Sequence, residues 1–351
     1  MDKELGSPSY QNIIEDLTQA LKSNPQNIDT FYRRSEIFYS QGKYILGIKD
    51  LDNILQQDSN NFLVYTLRGY GYGKIGKEQQ AISDYSNAIT LCPNYAKAYF
   101  NRGTIYHRLQ QNQRAIADFN QAIRFNSDYL DAYYNRGVAH NDLGQYQQAI
   151  LDYSEVIRLN PNDSEAYYNR ANTYNKIQQY TRALADYAQA IRLNPQDLES
   201  YYNRANVYHK TQLLENAIAD YTHIIEQNPN HAPTYYNRGT SYLTAQRYQS
   251  AIADFSEAVK LKSNYAEAFY NRAVAFNKIK TYPEAISDHQ TAISLKPNYA
   301  EAYGNLGLVF QTIGDRDKAI FYLNQAATLF KRQNNEIFYK YVLGKLKELK
   351  Q

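Results

Sequence analysis

Asparagine recurs in this chain every 34 residues. Seven copies follow one another without a slip, at Asn101, Asn135, Asn169, Asn203, Asn237, Asn271 and Asn305. A side-chain amide offers one hydrogen-bond acceptor and two donors, which suits the C=O and N–H of a peptide group. Asparagine is a mediocre helix former, so its recurrence inside a helical pattern requires a reason. An amide repeated at this fixed spacing is chemically suited to bind the backbone of an extended peptide. The alternative is that the repeats duplicated recently and the asparagine was copied with them.

Arginine and aspartate recur in the same 34-residue register. Each of eight arginines is followed sixteen residues later by an aspartate, and the last copy loses both at once, with Leu306 and Tyr322 in their places. Because guanidinium and carboxylate groups form a two-bond fork, we interpret the columns as structural ion pairs, with ligand binding by the arginines as the alternative. The joint loss favours pairing within one copy, although Asp16 leaves open a pairing with the following copy. The columns are Arg34, Arg68, Arg102, Arg136, Arg170, Arg204, Arg238 and Arg272, and Asp50, Asp84, Asp118, Asp152, Asp186, Asp220, Asp254 and Asp288.

The other reactive residues form no recognisable catalytic or metal-binding pattern. The six histidines are scattered through the register without an i, i+4 pair. Cys92, the single cysteine, has no basic neighbour in sequence that would activate its thiol. Gly71, Gly73 and Gly76 match GxGxxG, but they fall inside or at the end of a helical segment, whereas a dinucleotide site needs them between a strand and a helix. The sequence therefore predicts no catalytic residue, no metal ligand and no cofactor.

The 34-residue period organises most of the chain into helix pairs. Position 4 of each copy is aromatic, position 8 is small, position 11 is aromatic in eight copies, and position 20 is alanine or glycine. The first three offsets form one helical stripe, and the small residues let two helices approach closely. Proline at position 32, as in Pro161 and Pro195, ends the second helix. We expect nine copies, at 28–61, 62–95, 96–129, 130–163, 164–197, 198–231, 232–265, 266–299 and 300–333.

The segments outside the nine copies are expected to cover their ends. Residues 1–27 contain a tail and a half-repeat, in which Leu17 and Ala20 take second-helix positions. Residues 334–351 have the pattern of one more amphipathic helix, with Phe338 and Val342 on the same side. A stack of repeats exposes an apolar face at each end, so a capping helix is expected at both.

The length and the pattern of small and large residues across 28–333 resemble the tetratricopeptide repeat, a helix–turn–helix unit. The YYNRG…AIADY style resembles that of cyanobacterial repeat proteins. Position 4 departs from the family, which favours tryptophan where this chain has tyrosine or phenylalanine. The resemblance implies an all-α fold, a right-handed superhelix (α-solenoid) of antiparallel helix pairs with a capping helix at each end and a concave inner face. More than about 80% helix and no sheet are expected.

The resemblance also implies where the asparagine column lies, since position 6 of the first helix faces the concave groove in this family. First helices stand roughly 10 Å apart and an extended peptide rises about 3.4 Å per residue, so one amide can bind the partner about every third residue. This resembles the asparagine ladder in the repeat region of O-linked N-acetylglucosamine transferase. The predicted peptide-binding residues are the seven asparagines together with Asn172, Asn206, Asn141, Asn175, Lys176 and Lys210.

These observations predict a non-enzymatic scaffold or adaptor that binds an extended segment of another protein. RNA binding is an alternative for a tyrosine-rich helical-repeat chain, but a net charge of +3 over 351 residues does not suggest the basic groove that RNA requires. Self-assembly through the ends of the array is a third possibility. The single cysteine, the absence of a secretory signal and the absence of any run of about 18 apolar residues predict a cytoplasmic protein that does not insert into a membrane.

Overall fold

The structure, a computed structural model, describes residues 10–350. Helices make up 81% of those residues, and no strand occurs among them. The chain forms two compact units, the first ending at Ile177 and the second beginning at Gln178. Within each unit the helices follow one another as tandem pairs, so the expected all-α fold of paired helices is confirmed.

The first unit contains ten helices within the described residues. They are α1 (Tyr10–Ser23), α2 (Ile28–Ser40), α3 (Tyr44–Gln57), α4 (Phe62–Lys74), α5 (Glu78–Leu91), α6 (Ala96–Arg108), α7 (Asn112–Phe125), α8 (Leu130–Asp142), α9 (Tyr146–Leu159) and α10 (Ser164–Lys176). The second unit contains ten more. They are α11 (Tyr180–Leu193), α12 (Leu198–Lys210), α13 (Leu214–Gln227), α14 (Ala232–Thr244), α15 (Tyr248–Leu261), α16 (Ala266–Lys278), α17 (Tyr282–Leu295), α18 (Ala300–Thr312), α19 (Arg316–Arg332) and α20 (Glu336–Lys350).

Local side-chain chemistry sets the helix ends. The side chains of Asn27, Asn61 and Asp163 accept hydrogen bonds from backbone N–H groups in the first turn of α2, α4 and α10, which satisfies donors that have no partner inside the helix. The turn after a first helix needs a left-handed residue, and glycine supplies it at Gly144 (φ 72°) without steric cost. Short turns of this kind return the chain antiparallel to the helix just completed.

Small residues let the two helices of a pair approach until a ring fills the space between them. A Cβ atom on Gly239 would lie 2.8 Å from Cε1 of Phe255, a residue that is fully buried in α15. Gly103 stands in the same relation to Phe119. The small residue at position 8 and the ring at position 24 are therefore one packing unit, and enlarging the first would displace the second.

Capping helices cover both ends of the array, as expected. Val342 and Leu346 of α20 are buried against Leu323 and Phe330 of α19. At the other end, Leu21 of α1 packs into a cluster with residues of α2, α3 and α4. Ile14 and Leu21 are the buried residues of α1, and Ala20 is exposed.

The glycine-rich segment has a packing explanation. Gly71 and Gly73 lie inside α4, and Gly76 (φ 73°) forms the turn that follows. A Cβ atom on Gly71 would clash with the hydroxyl oxygen of Tyr39, so only glycine leaves room for that ring. Within residues 10–350, no helix combines the length and apolarity needed to cross a membrane.

Candidate functional site

Arginines of the repeated column form a fork with the aspartate of their own helix pair. Nε and Nη2 of Arg34 donate to the two carboxylate oxygens of Asp50 at 2.8 and 2.7 Å, and Arg238 donates to both oxygens of Asp254 at 2.7 Å. The aspartates are buried and the guanidinium groups mostly so. The structural ion pairs are confirmed in the within-copy register. The same pairing joins Arg68 to Asp84, Arg102 to Asp118, Arg136 to Asp152, Arg204 to Asp220 and Arg272 to Asp288.

Most of these arginines also donate a hydrogen bond to a side chain of the preceding helix pair. Nη1 of Arg34 donates to Oγ1 of Thr18 at 2.9 Å, so the acceptor in α1 is Thr18 and not Asp16. Each such acceptor stands sixteen residues before its arginine, and Ala188 interrupts the series before Arg204. One guanidinium thus joins three helices. The other acceptors are Asp52, Ser86, Asn120, Ser154, Thr222 and Ser256, for Arg68, Arg102, Arg136, Arg170, Arg238 and Arg272 respectively.

Four asparagines of the column donate to a tyrosine hydroxyl on the preceding first helix. The Nδ2 atoms of Asn169, Asn237 and Asn305 each lie 2.9 Å from the hydroxyl oxygens of Tyr134, Tyr202 and Tyr270 respectively, and Asn271 lies 3.2 Å from that of Tyr236. Each tyrosine stands 35 residues earlier, and all four asparagines are half-buried. The amide nitrogen therefore already has a role in the fold, while the amide oxygen keeps its acceptor capacity.

The tyrosine acceptors of these asparagines were not predicted, although the sequence contains a pattern that indicates them. A ring stands at position 5 of six consecutive copies, one residue before the asparagine position and 35 residues before the next asparagine. Phe100 breaks the pattern because it has no hydroxyl, and Asn135 donates to the backbone carbonyl of Asp131 at 2.8 Å. Thr66 takes the register place of the tyrosine before Asn101, and Thr66, Tyr70 and Asn101 line one cavity of about 280 Å³. The asparagine–tyrosine hydrogen bond therefore joins α8 to α10 in the first unit, and it joins successive first helices from α12 to α18 in the second.

The remaining predicted residues lie on the same first helices and differ in their contacts. Asn206 accepts a hydrogen bond from the buried Tyr221 hydroxyl at 2.6 Å and another from Asn237 at 3.2 Å. Nζ of Lys176 donates to Oδ1 of Asn141 at 3.2 Å. Lys210 extends over the ring of Tyr180 at 5.4 Å. The side-chain oxygen of Asn175 is buried and accepts no hydrogen bond from the residues that the structure describes, and Asn172 and Asn203 are half-buried on α10 and α12.

The first helices adjoin one another and so form a continuous row in each unit. Contacts join α4 to α6 and α6 to α8 in the first unit, and α12, α14, α16 and α18 in the second. Five of these helices carry an acid at the second residue and five a base at the thirteenth, about 16 Å away at 1.5 Å per residue, whereas α6 has Lys97 at the second residue and α8 has Asp142 at the thirteenth. Acids therefore predominate at one margin and bases at the other. The acids are Asp131, Glu165, Glu199, Glu267 and Glu301, and the bases are Lys74, Arg108, Lys176, Lys210 and Lys278.

The tyrosine hydroxyls of the row remain protonated at ordinary pH. Burial, followed by the charge of Glu301, raises the pKa of Tyr270 to about 12. Burial also raises the pKa of Tyr134, whose hydroxyl donates to the carboxylate of Glu165. A protonated hydroxyl can accept from asparagine and donate elsewhere at the same time. The Asn–Tyr row therefore keeps its hydrogen bonds across the physiological range.

The reactive residues considered from sequence stay dispersed in the structure. Cys92 is half-buried, with Sγ 3.2 Å from Oδ1 of Asn94. Within residues 10–350, no group of three histidine, cysteine or acidic side chains is placed to hold a metal ion. His289 is fully buried in α17, in a ring column of the core.

Family models match most of the chain. Models described as tetratricopeptide repeat match 130–163, 153–185, 198–231, 236–300 and 300–332, and one described as TPR repeat matches 72–110, 103–144 and 171–212. Comparison with curated proteins gives no match.

Solved structures share the fold at low identity. A tetratricopeptide repeat protein from Parabacteroides merdae is 21% identical, with a TM-score of 0.51 over 71% of this chain and 99% of its own. YrrB, described as a TPR protein with an unusual peptide-binding site, is 22% identical (TM-score 0.49, 52% and 95%). Yeast Tom70 is 13% identical (TM-score 0.45, 97% and 92%). At these identities the likeness concerns the fold alone.

Proposed function

Because this chain belongs to the tetratricopeptide repeat family, we propose that it is a non-enzymatic scaffold whose row of first helices binds an extended segment of another protein. Tetratricopeptide repeat proteins generally mediate protein–protein interaction. The proposal includes the division of 28–333 into nine repeats and a cytoplasmic location, which the single cysteine favours.

The observation that carries the proposal is the repeated, oriented amide. Asn237 and Asn271 each donate through Nδ2 to a tyrosine hydroxyl, so the side chain is held in one orientation before any partner arrives. An acceptor oxygen held in place loses little freedom on binding, which favours affinity. A row of such oxygens on adjoining helices suits the backbone N–H groups of an extended segment, whatever its side chains.

The two charged margins support a segment of mixed charge. Glu165 and Glu199 lie at the acidic margin, and Lys176 and Lys210 at the basic one. Charges at a rim affect partner choice and association rate more than affinity. Backbone recognition by the asparagines and charge selection at the margins are therefore separate contributions, which different substitutions can remove.

The proposal is tested by comparing two triple variants of the whole chain. A pull-down with the intact protein and mass spectrometry identify a partner, whose binding segment is then synthesised and titrated. The test variant carries Asn169→Ala, Asn203→Ala and Asn237→Ala. The control variant carries Gln113→Ala, Gln147→Ala and Gln249→Ala, which are exposed positions on second helices.

Loss of three net hydrogen bonds should weaken binding by about 1.5–4.5 kcal/mol in the asparagine variant and leave the binding of the glutamine variant unchanged. Both must retain the native helical circular dichroism spectrum. Unchanged affinity in a folded asparagine variant would show that the column is inherited from duplication and that the partner binds elsewhere. A salt-sensitive gel shift with single-stranded RNA, and no protein partner, would favour the nucleic-acid alternative.

A further inference from the structure

The ring column of the first helices ends at Gly304 in α18. The same register position carries a ring in the six preceding copies, from Phe100 to Tyr270. A Cβ atom on Gly304 would find nothing closer than Ala326 at 3.8 Å and Phe330 at 3.9 Å. Unlike Gly239, this glycine is not required by close packing, and it leaves the place of a ring open.

The open place is the floor of an apolar cavity of about 150 Å³, which we call the Gly304 cavity. Its lining comes from four helices, α16, α18, α19 and α20, and includes Leu308, Phe330, Phe338 and Val342. A cavity of this volume with aliphatic and aromatic walls is large enough to hold a benzene ring. Phe338, 49% exposed, and Tyr341, 51% exposed, form its mouth on α20.

Polar groups at the rim are arranged on one side. Asn305, which lines the cavity, donates through Nδ2 to the hydroxyl of Tyr270 at 2.9 Å, so its amide oxygen keeps its acceptor capacity. Glu301 lines the same cavity, and its charge acts on the Tyr270 hydroxyl there, whereas the next acid along the margin, Glu267, is paired with Lys296 at 3.0 Å. A negative rim beside an apolar cavity is complementary to a positive charge beside an apolar side chain.

We propose that the Gly304 cavity binds one phenylalanine side chain of a partner segment in which a lysine or arginine adjoins that phenylalanine. Burial of the ring supplies affinity, Glu301 selects the basic neighbour, and the oxygen of Asn305 accepts a backbone N–H. This inference rests on the proposed function, because it specifies the side chain that anchors the bound segment at the end of the row.

The test uses the full chain with labelled leucine and valine methyl groups and the probe acetyl-Lys-Phe-amide. Saturable shifts of the Leu308 and Val342 methyl signals are expected, with weaker binding of acetyl-Glu-Phe-amide and none of acetyl-Lys-Gly-amide. Gly304→Leu fills the cavity and should weaken binding of the probe about tenfold or more. Glu301→Gln should reduce the preference for Lys-Phe over Glu-Phe about two- to fivefold, as expected for a half-exposed ion pair.

Gly344→Ala, on an open surface of α20, is the matched control and should bind like the parent. Binding that survives Gly304→Leu in a folded protein, or no shift at millimolar probe, overturns the inference. Methyl shifts that depend on protein concentration without probe would make a second copy the occupant and also overturn it. If Gly304→Leu binds the identified partner normally while the triple asparagine variant does not, the cavity assignment fails and the proposed function stands.

Discussion

At the scale of the residue, His289 is an ionisable side chain at a core position that a phenylalanine or tyrosine occupies in other helix pairs. The equivalent residues of the two preceding pairs are Tyr221 and Phe255, and His289 packs 5.7 Å from the ring of Tyr270. It is fully buried, and neither ring nitrogen has a hydrogen-bond partner among the described residues. Burial lowers its pKa from 6.5 to about 3. The folded protein therefore holds this histidine neutral.

The stability of the second unit should depend on pH through His289. Below pH 6.5 the unfolded chain takes up a proton that the folded chain does not, so stability is complete above pH 6.5 and is lost as the pH falls towards 3. His289→Phe removes this dependence. The variant should be more stable than the parent, and its advantage should grow by about 2 kcal/mol between pH 7 and pH 5. Denaturant unfolding at both pH values measures this, and parallel profiles would contradict it.

Phe100 offers a test of the Asn–Tyr hydrogen bond at a position where the chain lacks it. The rings of Phe100 and Tyr129 lie 4.9 Å apart, as do those of Tyr236 and Tyr265, so the two positions are equivalent. Phe100→Tyr should let Asn135 donate to the new hydroxyl and stabilise the protein by about 0.5–1.5 kcal/mol. The gain should disappear in an Asn135→Ala background, and a gain that persists there would assign it to another cause.

At the scale of the element, the arginine–aspartate pairs hold helices together within and between pairs. Arg238 contacts Asp254 of its own pair and Thr222 of the preceding one. Asp254→Asn leaves a guanidinium, 15% exposed, without its full charge partner, and should cost about 3–5 kcal/mol. Glu257→Gln, which removes an exposed pair with Lys260, should cost at most about 1 kcal/mol. Thermal unfolding compares the two, and equal losses would show that the buried pair has no special role.

At the scale of the whole molecule, we expect the helix that covers the end of the array to limit association between copies. Leu346, 5% exposed, belongs to the face of α20 that covers Phe330 and Leu323. Leu346→Asp should detach α20 and expose that apolar face, which lowers the melting temperature and promotes concentration-dependent association. Lys347→Asp, on the exposed side of the same helix, is the control. Sedimentation velocity that finds the parent already self-associated, and Leu346→Asp no more so, would contradict this view of α20.

The sequence by itself determined the 34-residue period, the helix pairs, the capping helices and the two charged columns. Each is a regular pattern along the chain, because rings and small residues repeat at helical offsets. In the ninth copy Leu306 replaces the arginine and Tyr322 the aspartate, so the two charged columns end together. These features follow from the sequence because helices are local structures whose contacts lie three or four residues apart.

Only the tertiary structure decided which groups meet across helices. The register of Arg34 with Asp50 and Thr18, and the hydrogen bond from Asn305 to Tyr270, join residues that are 16 and 35 positions apart. Such pairs depend on how far apart the helices stand and how each is turned about its axis, which periodicity does not specify. The Gly304 cavity likewise needs α20 in place before its walls exist. A glycine in a sequence pattern can mark close packing, as at Gly239, or open space, as at Gly304, and the neighbouring side chains decide between them.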